Sequence, residues 1–319
     1  MHKLAIISSD HKAFEEMFIA DINLHTIYEL IYSGTEPPNA ILNEVEVLIG
    51  EPSLLAPLIE KCLYLKWVQS TWAGNNKLQG LTNKSYILTG VKNVFGLQMV
   101  EYILAYMLFF TRRINEFNQL KESGDWEQLP CLTLSNYNVT IFGMGSIGKQ
   151  VANQLSVMGM QVAGIVKNIE KHSQAQKLDN NIKIATYQES ISLVNKSDFV
   201  INLLPETAET TGLFNSKLFS QFKAGAIFIN AGRGNVIDKP DSLIEALKSN
   251  HLKAAVLDVF ENEPLDSQHE YYNTDNLYIT CHTAAISHPS EVFKIFRFNA
   301  IKFSENQPLQ YVHDFELGY

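Results

Sequence analysis

Val139-Thr140-Ile141-Phe142-Gly143-Met144-Gly145-Ser146-Ile147-Gly148 is the stretch on which the reading of this chain turns. An apolar run ends in a G-x-G-x-x-G, and Ile147, Val151, Leu155 and Met158 then recur at steps of three and four, the spacing of one helix face. Alone, such a motif is weak, because chance glycines in turns also produce it. Placed between an apolar strand and an amphipathic helix, it has a physical rationale. Gly143 permits a tight turn, Gly145 lets the backbone approach a pyrophosphate, and Gly148 lets helix and strand pack closely. The free N–H groups where the helix starts, at Ser146 and Ile147, then face phosphate. A dinucleotide is the expected ligand.

Downstream, residues 162–166, 198–204, 226–230, 254–259 and 277–280 are further apolar runs alternating with helical patterns. Near-continuous apolar strands of this kind belong to a parallel sheet covered on both faces. Upstream, residues 4–7, 45–49 and 65–69 suggest a second, smaller parallel α/β sheet within residues 1 to about 95. Between the two lies 96–118, apolar on most sides, with Met99, Ile103, Tyr106, Met107 and Phe110 at helical spacing. One buried helix is expected there, in a core or at a subunit interface. Residues 290–306 read as a last amphipathic helix.

A chain of 319 residues is too long for one ordinary core, so two domains are expected. The net charge of −9 disfavours a general nucleic-acid binder and leaves room only for a local basic pocket. Cys62, Cys131 and Cys281 are far apart and form no C-x-x-C, which suits reduced thiols in a reducing compartment. The N-terminal apolar run is too short for a signal peptide, and the most apolar stretch, 102–110, has about half the length of a bilayer span. A cytoplasmic protein without membrane contact is expected.

The end of the second strand of the glycine-motif sheet should choose between NAD and NADP. An NAD site places Asp or Glu there, about 20 residues past the glycines. This chain has Val166-Lys167-Asn168-Ile169 instead. No carboxylate is in place to repel a 2′-phosphate, and Lys167 would attract one. NADP(H) is therefore favoured, with NAD(H) an alternative. An ordinary surface lysine is the plainer reading of Lys167, and Glu170 would serve ribose if the strand ended later.

Three polar residues follow consecutive apolar strands: Arg233, Glu263 and His282. In an open parallel sheet the carboxyl ends of the strands face the ligand crevice, so all three are expected at the cofactor. Reduction of a 2-oxo acid needs a planar cation for the substrate carboxylate, which a guanidinium supplies. It also needs a proton for the ketone oxygen, which histidine gives near neutral pH. A neighbouring carboxylate favours the charged histidine. Arg233, His282 and Glu263 fill these roles. Each has a plainer reading, as a surface arginine, a loop glutamate and one of nine histidines; the joint arrangement carries the case. No ligand cluster suggests a metal, and Cys281 reads as an ordinary strand thiol.

Several blocks extend this pattern: the 143–148 glycine motif, Asn202-Leu203-Leu204-Pro205-Glu206-Thr207, Asn230-Ala231-Gly232-Arg233-Gly234, Leu257-Asp258-Val259-Phe260-Glu261-Asn262-Glu263-Pro264-Leu265 and His282-Thr283-Ala284-Ala285. In this order and spacing the chain resembles the D-isomer-specific 2-hydroxyacid dehydrogenases over nearly its whole length. Within that family it is most similar to the glyoxylate/hydroxypyruvate reductase A type, through residues 94–102 and the ending Gly318-Tyr319. The resemblance implies an α/β fold of two Rossmann-like domains with parallel sheets, the cofactor domain inserted into the substrate domain. The substrate domain would comprise residues 1–97 and 286–319, the dinucleotide-binding domain 98–285, and the active site would lie between them.

The resemblance also implies a homodimer and NAD(P)H-dependent reduction of glyoxylate and hydroxypyruvate to glycolate and D-glycerate. Arg233, Glu263 and His282 fall on the family's catalytic positions. Leu204, Pro205 and Ala231 fall on cofactor-contacting blocks, and Asp258 falls where the nicotinamide amide is held. Ala73 and Gly74 fall on the loop whose backbone N–H groups take the substrate carboxylate. There are departures. Lys167 and Ile169 stand where the subgroup has two arginines, Asn75-Asn76 replaces Val-Asp, Cys281 replaces a proline, and Trp72 precedes Ala73. Trp72 either narrows the pocket or packs at the domain hinge. Competing readings are a D-lactate-type or other D-2-hydroxyacid dehydrogenase, or a dinucleotide-sensing, corepressor-like binding module.

Overall fold

The computed structural model of the chain describes residues 1–72, 74–169 and 181–316. The chain forms two compact units, Met1–Val94 with Ser287–Tyr319, and Phe95–Ile286, so the second interrupts the first.

The first unit holds five parallel strands: β1 His2–Ile7, β2 Tyr28–Gly34, β3 Val47–Gly50, β4 Trp67–Ser70 and β5 Ile87–Thr89, in the order β2-β1-β3-β4-β5. Leu4–Ile7 of β1 and all of β3 and β4 are buried, as a sheet covered on both faces requires. The returning helix Pro289–Ser304 closes one face. Phe296 stacks on Trp67 with ring centroids 5.4 Å apart, and the Tyr28 hydroxyl donates to the Ala300 carbonyl oxygen at 2.7 Å.

The second unit holds seven parallel strands: β6 Asn138–Phe142, β7 Gln161–Val166, β8 Lys183–Thr186, β9 Phe199–Asn202, β10 Ala226–Asn230, β11 Leu252–Leu257 and β12 Leu277–Ile279. Their order is β12-β11-β10-β9-β6-β7-β8. Side chains alternate between the faces along each strand: Ile227 and Ile229 join one apolar cluster and Phe228 the other. The chain runs outward from β6 to β8, then crosses back to β9 on the other side of β6. This reversal opens a crevice at the carboxyl ends of β6 and β9, the place where doubly wound sheets bind ligands.

Three strands lack the apolar run that marked the others: β2, β5 and β8. All three lie at sheet edges, and β2 and β8 are largely half-exposed. An edge strand is not required to be apolar throughout, so its sequence signal is diluted. The single helix expected over 96–118 is two helices, Gly96–Thr111 and Ile114–Ser123. The first buries Met99, Ile103, Met107 and Phe110 in its own unit's core, while the second buries nothing. The apolar face that holds the first helix down thus ends at Phe110. Arg113 then takes a left-handed conformation at φ 55° and separates the two.

Cys62 is buried, which pushes its thiol up to about 11, whereas Cys281 is exposed. At pH 8 only about one Cys62 in a thousand is thiolate, and thiolate is the reactive form. Alkylation followed by peptide mapping should therefore label Cys281 in the native protein and Cys62 only after unfolding. Equal native rates would show the buried assignment to be wrong.

Candidate active site

Two glycines of the turn are fixed by close backbone approach. Gly143 has φ 97°, and a Cβ there would lie 2.7 Å from the Leu203 backbone. A Cβ on Gly148 would lie 1.9 Å from the Gly143 oxygen, so no larger residue allows this approach of helix to turn. Around Gly145, by contrast, the space is open within 4 Å. An exposed glycine backbone therefore stands at the head of the helix Ser146–Val157, whose first N–H groups include those of Ser146 and Ile147. This cradle fits a dinucleotide pyrophosphate. Leu204 and Ala231 are buried beside it at the ends of β9 and β10, and Pro205 is exposed.

Beyond β9 and β10 the backbone is held by a buried amide pair. Asn202 Nδ2 donates to Asn230 Oδ1 at 2.9 Å, and the same oxygen accepts from the Gly232 N–H at 3.2 Å. Asn230 Nδ2 donates to the Arg233 carbonyl oxygen at 3.0 Å. A Cβ on Gly232 would meet Leu204, and one on Gly234 would meet Phe260 and Glu261. Arg233 is thereby fixed against both neighbouring loops. Burial pulls its guanidinium down from its ordinary value, and the carboxylates of Glu206 and Glu263 offset that pull. It remains a cation.

His282 and Glu263 meet. His282 Nδ1–H donates to Glu263 Oε2 at 2.7 Å, and Glu263 Oε1 accepts the Phe260 N–H at 2.9 Å. With Nδ1–H held by a carboxylate, Nε2 is the atom left to exchange a proton. His282 has φ 56°, a conformation uncommon outside glycine. It is secured from below: the His282 N–H donates to the Asp258 carbonyl oxygen at 2.7 Å.

Asp258 is buried, and both its carboxylate oxygens are engaged within the chain. Oδ1 accepts from Thr280 Oγ1 at 2.6 Å and the Thr283 N–H at 2.8 Å, and Oδ2 from the Ala284 N–H at 3.0 Å. Thr280, committed as a donor to Asp258, accepts from the Tyr102 hydroxyl at 2.7 Å. Burial pushes the Tyr102 phenol upward, which keeps that proton in place. Asp258, expected near the nicotinamide, anchors the His282 loop through these contacts. The Asn202–Asn230 pair and Thr280 escaped that reading as positioning groups, because only the sheet brings them together.

Lys167, just past β7, donates to Glu209 Oε1 at 2.7 Å, with both side chains largely exposed. Glu170 lies outside the described residues. In the first unit Gly74 is partly exposed, Trp72 is 43% exposed, and Ala73 lies outside the described residues, as do Gly318 and Tyr319. Asn75 is buried with its Oδ1 unpartnered among the described residues.

Known proteins resemble this chain in sequence and fold. The family described as D-isomer specific 2-hydroxyacid dehydrogenase, NAD binding domain, matches residues 104–284. Glyoxylate/hydroxypyruvate reductase A of Serratia proteamaculans is 34% identical over 223 residues, 70% of this chain and 69% of the relative. The namesake from Salmonella newport is 32% identical over 225 residues, 70% of each chain. Among solved structures, a D-isomer specific 2-hydroxyacid dehydrogenase family protein from Aeromonas salmonicida has a TM-score of 0.88 at 31% identity, covering 98% of this chain and 99% of that one. The NADPH-dependent glyoxylate/hydroxypyruvate reductase of Sinorhizobium meliloti, solved with NADP and sulfate, shares the fold at a TM-score of 0.84 and 24% identity, covering both chains fully. The chain belongs to the D-isomer specific 2-hydroxyacid dehydrogenases, a family of NAD(P)-dependent oxidoreductases. Among the described residues no helix is long and apolar enough to cross a membrane.

Replacing Asp258 with Ala would remove the acceptor of the Thr280 hydroxyl and of the Thr283 and Ala284 N–H groups, the last of them buried. Hydrogen bonds to charged groups contribute about 1.5–3 kcal/mol each. Denaturant unfolding should show a loss of about 3 kcal/mol or more, and turnover should fall with it; an unchanged midpoint would remove Asp258 as the anchor.

Proposed function

We propose that this protein reduces small 2-oxo acids, glyoxylate and hydroxypyruvate, to glycolate and D-glycerate, using NADPH in preference to NADH. The observation that carries this reading is the His282–Glu263 hydrogen bond of 2.7 Å, on the same sheet edge as Arg233 and the glycine turn. The names of the reductase A relatives and the NADP in the Sinorhizobium protein support the substrates and the cofactor.

The cofactor, when bound, supplies a hydride to the carbonyl carbon. The Arg233 guanidinium holds the substrate carboxylate and so orients the ketone. His282 delivers its Nε2 proton to the ketone oxygen. Glu263 holds the ring in the orientation that leaves Nε2 outward. Ser146, Ile147 and the exposed Gly145 backbone take the pyrophosphate, and Lys167 the 2′-phosphate. Gly74 and its neighbour Ala73 are the proposed backbone donors to the substrate carboxylate. The first unit is read as the substrate domain and the second as the dinucleotide domain. A cytoplasmic homodimer completes the proposal, with Leu97 and Leu108, exposed on the helix Gly96–Thr111, as the surface a second copy would cover.

His282→Ala should lower kcat by about 10²–10⁴, the range for a positioned acid. Arg233→Ala should raise KM and lower kcat together. Oxidation of NADPH and NADH, followed in parallel with glyoxylate, hydroxypyruvate and pyruvate, decides the substrate. Preference for pyruvate would replace this reading with a D-lactate-type one. Near-normal rates in either variant would remove the catalytic assignment.

A further inference from the structure

Strand β6 lies between β9 and β7 in the second sheet, so the segments that follow those two strands stand on opposite sides of the glycine turn. Lys167 comes directly after β7, and Glu209 comes from the loop after β9. Their side chains meet at 2.7 Å. The ion pair therefore spans the carboxyl end of β6, where the cofactor cradle opens. The Glu209 backbone is anchored: Thr210 is buried, its Oγ1 donates to the Pro205 carbonyl oxygen at 2.7 Å, and it accepts the Thr207 N–H at 2.9 Å. The two charged side chains themselves are 70% and 63% exposed.

The carboxylate that an NAD site carries at the end of β7 is missing from Lys167, Asn168 and Ile169. Glu209 brings one to the same place from another strand. We propose that Glu209 is a cofactor-specificity residue: it is the built-in counter-ion of Lys167 and competes with the 2′-phosphate of NADPH. The proposal rests on the reading that Lys167 receives that phosphate.

The physical argument concerns charge. An exposed ion pair is marginal, so a phosphate carrying more than one negative charge displaces Glu209 from Lys167. Glu209 stays tethered nearby and repels the phosphate that replaced it. A ribose with a free 2′-hydroxyl brings no charge, leaves the pair intact and meets no such repulsion. Glu209 thus restrains the preference for NADPH that Lys167 alone would create, and leaves NADH tolerated. A sequence motif centred on the glycines does not reveal this, because Glu209 lies 42 residues beyond its partner.

Binding of NADPH and of NADH is to be titrated by nucleotide fluorescence in the parent protein, Glu209→Gln and Lys167→Ala, at low and high salt. Removal of one charge near the phosphate should tighten NADPH by roughly 3–10-fold in Glu209→Gln, with NADH changed less than about twofold. The gain should shrink at high salt. Lys167→Ala should weaken NADPH and spare NADH. If Lys167→Ala weakens NADPH but Glu209→Gln leaves it unchanged or weaker, the inference about Glu209 is overturned and the Lys167 reading stands. If Lys167→Ala leaves the ratio of the two affinities unaltered, the Lys167 reading fails and the inference with it.

Discussion

Asp258 is a buried side chain surrounded by hydrogen-bond donors. Its side chain accepts from Thr280, Thr283 and Ala284, and its carbonyl oxygen accepts from His282. An isolated buried charge is costly, and a fully hydrogen-bonded one holds its surroundings rigidly. The segment that carries His282 is bound to it on both sides, which sustains the left-handed backbone at φ 56°. Tyr102 extends the network into the helix Gly96–Thr111, so the position of the His282 imidazole depends on the packing of that helix.

Glu263 comes from the same strand end. Five residues beyond Asp258 its carboxylate turns back, accepts the Phe260 N–H and reaches His282. One strand terminus thus supplies both the anchor of the histidine loop and the group that orients the ring. Arg233 is locked to the same region by backbone proximity, since Gly234 leaves no room for a side chain against Phe260 and Glu261. The scaffold relies on close backbone contact and buried hydrogen bonds. His282, Lys167 and Glu209 are, by contrast, exposed. Rigid support beneath exposed charges suits the proposed binding of anions.

Features whose physics is local or periodic are written directly in the amino-acid order. Buried strands such as β10 need apolar residues on both faces, so they stand out as runs. Gly143 and Gly148 are required by turn and packing geometry within six residues. Arg233, Glu263 and His282 were legible because each directly follows a run of this kind, and the carboxyl ends of parallel strands share one edge.

Tertiary structure alone decided the rest. Edge strands β2, β5 and β8 owe their place to pairing with a neighbour and carry weak patterns of their own. The break at Arg113 follows from where the core stops beneath Phe110, which no helix period announces. The Asn202–Asn230 pair, the Tyr102–Thr280–Asp258 chain and the Lys167–Glu209 bridge join residues 22 to 178 positions apart. Each is a contact between side chains whose separation along the chain says nothing about their distance in space. The sheet order sets that distance.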